Sequence, residues 1–294
     1  MLIPSIIISF IPDNDRSKMF CDYIIRKRIR ISPPLGLGDL LTLKILEEEK
    51  DNDITIDTIC INCQILKAVK IHPEIYTEFI IWFCKILFPY TKIVVTEGTI
   101  IERLINSNLI VKTTKLLSYF DTLPCKFEKP YLVFHTKFRQ SLKDINFFIE
   151  NYLDKLNYFL ENYECKYTIV IVGEREIEQN KESICHNIQS LYSSLLLLTK
   201  KNFVIDLTYK ELYSGNDKKL FLNDLSIMRH AKNNIVFGIG GNFCLCKFLC
   251  ENMICYTVSY EYISEKLLCD KDNDYIISDF DLFCERLNMF KTYI

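Results

Sequence analysis

Two glycine turns carry the clearest chemical signal in this chain: Pro34-Leu35-Gly36-Leu37-Gly38-Asp39-Leu40-Leu41 and Phe237-Gly238-Ile239-Gly240-Gly241-Asn242-Phe243. Each follows an Ile/Val-rich run that reads as a strand and precedes a run that reads as a helix. A strand–glycine–helix turn leaves backbone N–H groups without partners at the helix start, and these attract phosphate or another anion. Glycine suits the turn because a side chain would hold a ligand away from the backbone. The first turn also carries a carboxylate, Asp39. That group is wrong for holding phosphate but suits a general base, and the asymmetry points towards group transfer. Asp39 reads equally well as the cap of a helix beginning at Leu40.

The elements needed to position these turns are legible as an alternation of short apolar strands and longer periodic segments. Before residue 121, strand-like runs at 5–11, 28–32, 54–61 and 92–96 alternate with helical patterns at 17–26, 39–49, 73–87 and 99–107. Pro73 suits the first position of its helix, and Glu74 the positive end of its dipole. After residue 130, strands are expected at 131–135, 167–172, 203–207, 234–237, 253–258 and 275–277. Helices are expected at 142–163, 183–198, 222–231, 242–251 and 261–268, with an amphipathic helix at 279–293. This order predicts a doubly wound parallel sheet in each half. The segment 121–130, with two prolines and mixed charge, is the expected linker.

Composition sets the class. The 294 residues include 49% hydrophobic and 25% charged residues, the balance of a globular chain with a substantial core. A net charge of −2 gives no reason to expect a nucleic-acid partner. The basic run Arg26-Lys27-Arg28 with Arg30 lacks aromatic stacking partners and reads as a solvated helix end and strand edge. Thirteen cysteines are scattered without metal-knuckle spacing, so no metal site is expected. Free cysteines suit a reducing, cytoplasmic compartment. The apolar start is interrupted by Pro4 and lacks a basic leader, so neither a signal peptide nor a transmembrane segment is expected, although peripheral membrane contact is compatible.

Ligands of open parallel sheets lie beyond the carboxyl ends of the strands. The residues expected there are Gly36–Asp39, His135-Thr136-Lys137-Phe138-Arg139, Gly173-Glu174-Arg175, Asp206-Leu207-Thr208 and Gly238–Asn242. His135 reads as the buried end of its strand rather than as an acid–base group.

These segments resemble, in order and spacing, the heptosyltransferase-like glycosyltransferases of the GT-B type. Strand–Gly-x-Gly-Asp-Leu-Leu looks like that family's opening turn. Tyr131-Leu-Val-Phe-His-Thr-Lys137 is similar to the first strand of its second domain, and Ile169-Val-Ile-Val-Gly-Glu174 to the next strand and turn. Val204–Thr208, Leu222–Ala231 and Ile235–Asn242 resemble its most recognisable stretch. The family usually carries Asp-Ser/Thr-Gly-Pro-x-His at the second turn. Here Gly238 stands for the acid and Phe243 for the histidine, while the turn glycine persists as Gly240.

The resemblance implies two Rossmann-like α/β domains with a cleft between them. The acceptor-side domain would span residues 1–126 and the donor domain 127–278, with helix 279–294 crossing back to the first domain. It implies a glycosyltransferase, inverting and metal-independent, that takes a sugar from a nucleotide-sugar co-substrate to a glycan or lipid-linked acceptor, with no cofactor. Asp39 would be the base. Lys137, Arg139, Glu174, Thr208, Gly240, Gly241 and Asn242 would hold the donor and its diphosphate, and Gly36 and Gly38 would shape the first turn. Two alternatives stand beside it: a nucleotide-sugar epimerase of the same architecture, and a catalytically silent nucleotide-binding or scaffold protein, which the changes at Gly238 and Phe243 favour.

Overall fold

A computed structural model describes residues 6–9, 28–32, 36–48, 55–62, 73–96, 116–120, 122–175, 188–209, 217–258 and 275–291. The described residues form two compact α/β units, one running up to Tyr119 and the other beginning at Phe120. The expected helices at 17–26, 99–107 and 261–268 fall outside the described residues.

The first unit is built on a parallel sheet of β1 (Ile6–Ser9), β2 (Arg28–Ser32), β3 (Thr55–Asn62) and β4 (Lys92–Thr96), in that spatial order. Helices α1 (Leu37–Glu48) and α2 (Pro73–Leu87) belong to it. In α2, Tyr76, Phe79, Ile80, Phe83, Cys84 and Leu87 recur at helical spacing and are all buried, so one stripe meets the core. Lys44 of α1 is a buried cation held by Glu47 at 2.7 Å and by the rings of Phe88 and Tyr119. Burial pushes its amine down, but the Glu47 and Tyr119 contacts outweigh that and hold it above its ordinary value.

The second unit carries six parallel strands: β5 (Tyr131–Arg139), β6 (Thr168–Val172), β8 (Val204–Asp206), β9 (Asn233–Gly238), β10 (Met253–Tyr256) and β11 (Ile276–Ile277). Their spatial order is β11-β10-β9-β5-β6-β8, with β7 (Ile188–Ser190) antiparallel to the end of β5. Helices α3 (Leu142–Asn151), α4 (Leu153–Asn162), α5 (Tyr192–Leu195), α6 (Asp217–His230), α7 (Gly241–Leu249) and α8 (Phe280–Asn288) complete it. Leu132, Phe134, Ile171 and Phe237 share a core with Phe148 of α3, Leu160 of α4 and Phe283 of α8. Residues of the opposite parity on β5 meet α6 and α7: the Tyr131 hydroxyl donates to the Ile227 carbonyl of α6, and His135 meets Cys246 of α7. Both faces of the sheet are covered, which is why its strands read as continuous apolar runs.

Several expected elements change on folding. The helix expected at 142–163 is two, because Tyr152 leaves helical geometry at φ −128°, ψ −17°. The helix expected at 183–198 is corrected over its described residues: 188–190 are β7 and Tyr192–Leu195 is α-helical before a 3-10 turn to Lys200, while 183–187 fall outside the described residues. Pairing with the free end of β5 overrides local helical pattern there. The segment expected as a linker docks on the second unit, since the Ser226 hydroxyl of α6 donates to the Pro124 carbonyl. The helix expected to cross back buries Phe280, Phe283 and Leu287 in the second unit's own core, with Asp279 capping it through Leu282 N at 2.9 Å.

Candidate functional site

The connections of the second sheet fix where a ligand belongs. From β5 the chain moves outward to β6 and β8, then returns to lay β9 along the other side of β5. Successive connections therefore diverge between β5 and β9, and such a switch point opens a crevice beyond the carboxyl ends of those strands. The first sheet runs β1-β2-β3-β4 in sequence and has no such point among the described residues. The two glycine turns are thus not equivalent.

At the switch point Arg139 pairs in register with Gly238. Gly238 has φ +70°, and a Cβ there would lie 2.1 Å from the Arg139 carbonyl oxygen. Only glycine lets the two backbones approach so closely. Gly240 immediately precedes α7, and a Cβ on it would sit 2.6 Å from Cδ of Arg139, so the arginine side chain lies across this residue. At Gly241, the first residue of α7, a Cβ would meet nothing within 4 Å. The first closed turn of α7 is Cys244 N to Gly240 O at 3.0 Å, leaving the N–H groups of Gly241, Asn242 and Phe243 without intrahelical acceptors. The aliphatic stem of Arg139 and the start of α7 therefore meet at Gly240, with open space beside Gly241, an arrangement suited to a phosphate.

Lys137 and Arg139, expected on a loop, belong to β5. The strand runs past the end of β6 because β7 supplies a new ladder partner to residues 137–139. Lys137 Nζ lies 3.4 Å from both carboxylate oxygens of Glu174, so these two expected ligands neutralise each other. Thr208 is already committed: its hydroxyl donates to Asp206 at 2.5 Å and accepts from Arg175 Nε at 2.7 Å. Burial pushes the Asp206 carboxyl up, but its Thr208, Tyr192 and Arg175 contacts outweigh that and hold it below the usual carboxylate range. Asn242 is the second residue of α7, beside Gly241.

His135 is buried, with Nε2 3.4 Å from Asn234 Oδ1 and 3.6 Å from Cys246 Sγ. Burial drives its imidazole down to about 4, the Asn234 contact opposing, so it is a neutral core group. Phe243 is likewise buried in the core rather than turned to a ligand.

The first turn differs from expectation in register. Gly36 precedes α1, while Gly38 and Asp39 are the second and third residues of the helix. Leu40 N donates to Gly36 O at 3.2 Å, so the helix begins before Asp39, and the expected cap of a helix starting at Leu40 is corrected. An acid in a first turn still favours the helix through its dipole.

Sequence reasoning passed over Tyr192, whose hydroxyl donates to Asp206 at 2.7 Å, because the segment carrying it reads as helix. The signal that was available is the Asp206-x-Thr208 spacing, which favours a local turn in which the aspartate accepts from the backbone two residues on. Among the described residues, no cluster of His, Cys, Asp and Glu is arranged for a metal ion, and no helix is long and apolar enough to cross a membrane. No protein-family model, no curated protein and no solved structure matches this chain.

Proposed function

We propose that the chain is a metal-independent glycosyltransferase that binds a nucleotide-sugar on its second unit, with the diphosphate at the switch point between β5 and β9. The observation supporting this reading is Arg139 laid across Gly240 at the start of α7. Transfer of a sugar leaves a nucleoside diphosphate, and fixed cations with helix N-termini neutralise that leaving charge without a metal. In this reading the two units are the acceptor and donor halves of a GT-B-like enzyme, and Asp39 is the base for the acceptor hydroxyl.

Titration calorimetry against uridine, guanosine and adenosine diphosphates tests the site. At least one should bind, and Gly240→Val, whose side chain must push Arg139 aside, should weaken that binding roughly tenfold or more while the fold survives. Absence of binding by all three would remove the reading.

Asp39→Asn separates catalysis from binding. Diphosphate affinity should persist while sugar transfer falls roughly a hundredfold or more, the usual size of a lost acid–base contribution. Unchanged turnover in that variant would leave Asp39 with only its place in the first turn of α1.

One observation favours a second reading, a catalytically silent nucleotide-binding protein. Gly238 leaves no room for a side chain where the resembled family usually carries its acid, and Phe243 is buried where that family has histidine. Nucleotide binding without hydrolysis or transfer from any donor in a panel would select it.

A further inference from the structure

Beyond the carboxyl ends of β6 and β8 lies a second group of side chains that the diphosphate site does not use. Tyr192 and Arg175 are both tied at their far ends. The Tyr192 hydroxyl donates to Asp206 Oδ2 at 2.7 Å, Arg175 Nη2 lies 3.5 Å from the same oxygen, and Arg175 Nε donates to Thr208. Thr208 N and its hydroxyl hold the other oxygen of Asp206 at 2.9 and 2.5 Å. The effect is to place the guanidinium of Arg175 over the Tyr192 ring, its carbon 5.5 Å from the ring centroid.

This network is spent internally. Asp206, Thr208 and the Tyr192 hydroxyl satisfy one another, so the cluster is poorly arranged to grip a ligand by hydrogen bonds. Surface ion pairs add little to stability, and Arg175 remains 46% exposed along its side chain. What the network does achieve is to hold a guanidinium near an aromatic ring, the arginine 46% exposed and the tyrosine only partly buried. Flat cationic and aromatic surfaces bind planar rings.

We propose that the Arg175–Tyr192 pair is a stacking platform for the base of a nucleotide whose diphosphate lies at Arg139 and the start of α7. The inference rests on the nucleotide reading above and adds the placement of the base to it. Strand spacing supports the fit. From β5 to β8 is two strand steps, about 10 Å at roughly 4.8 Å each, which is the reach needed for a ribose and base beyond a diphosphate. It also gives the ligand a direction across the sheet, phosphates over β5 and β9 and base over β6 and β8.

Calorimetry with two kinds of probe separates this inference from the reading beneath it: inorganic diphosphate, and the uridine, guanosine and adenosine diphosphates. Wild type should bind a nucleoside diphosphate more tightly than inorganic diphosphate. Tyr192→Leu should weaken the nucleoside diphosphate roughly tenfold or more and leave inorganic diphosphate unchanged, erasing the difference. Tyr192→Phe, which keeps the ring and loses only the hydroxyl, should retain most of that difference. The platform is overturned if Tyr192→Leu weakens both probes alike, if it weakens neither, or if wild type shows no preference for the nucleoside form. In that last case binding of inorganic diphosphate would leave the Arg139 site standing, whereas binding of neither probe would remove the nucleotide reading as well.

Discussion

Gly238→Ala should destabilise the second unit by about 3 kcal/mol or more. Two costs combine. A non-glycine residue at φ +70° costs about 1–2 kcal/mol, and a Cβ 2.1 Å from the Arg139 carbonyl oxygen must displace the backbone of β5. Overpacking of that kind costs about 1–3 kcal/mol more, and here the obstacle is main chain rather than a flexible side-chain end. For a unit of this size, a loss of about 3 kcal/mol lowers the melting temperature by roughly 10 °C. Calorimetric or circular-dichroism melting measures it directly. A loss below about 1 kcal/mol would show that β5 and β9 do not approach at the switch point as described, and the anion site would lose its frame. Gly240→Val is the contrast: its neighbour is the Arg139 side chain, so binding should suffer far more than stability.

Asp224→Asn should stabilise the protein, and only towards alkaline pH. Asp224 lies on α6 and meets the Tyr209 side chain. The residue keeps some exposed surface, but its carboxyl is surrounded by protein, and those surroundings set its proton affinity. Burial pushes the carboxyl up to about 7, with the Tyr209 contact opposing. In the unfolded chain it titrates near 3.9, so between those values the folded state binds more protons and stability falls as pH rises. The contribution is intact below about pH 4 and lost once pH passes about 7. Three units correspond to a ceiling of about 4 kcal/mol. Asparagine has nearly the same shape, accepts from Tyr209 and never ionises. The gain over wild type should therefore grow from near zero at pH 4 to several kcal/mol, at most about 4, at pH 8. Urea unfolding of both proteins at the two pH values measures it. A gain of equal size at both would show that ionisation of this carboxyl is not the cause.

Much of the secondary structure was legible because its signals are local. Strand β2, helix α2 and strand β4 occupy the expected residues, fixed by alternating Ile and Val, by Pro73 at a helix start and by an apolar stripe at helical spacing. The parallel α/β class followed from alternation alone. The second glycine turn was legible as a turn at a helix start, but what requires glycine at 238 and 240 is Arg139, about a hundred residues away.

The failures are non-local. Residues 188–190 have no local reason to be a strand; they become β7 because β5 outruns β6 and its edge needs hydrogen bonds. For the same reason Lys137 and Arg139 left their expected loop. That Glu174 would neutralise Lys137, and that Arg175 would donate to Thr208, depends on residues tens of positions apart.

The sequence by itself determined most of the strands and helices among the described residues, and that a glycine-rich turn opens α7. Which of the two turns lies at a switch point was decided only by the order of strands in the sheet. The switch point arises because β9 returns to the far side of β5, and strand order is set by long-range pairing and the burial of both sheet faces. No spacing within a turn encodes it.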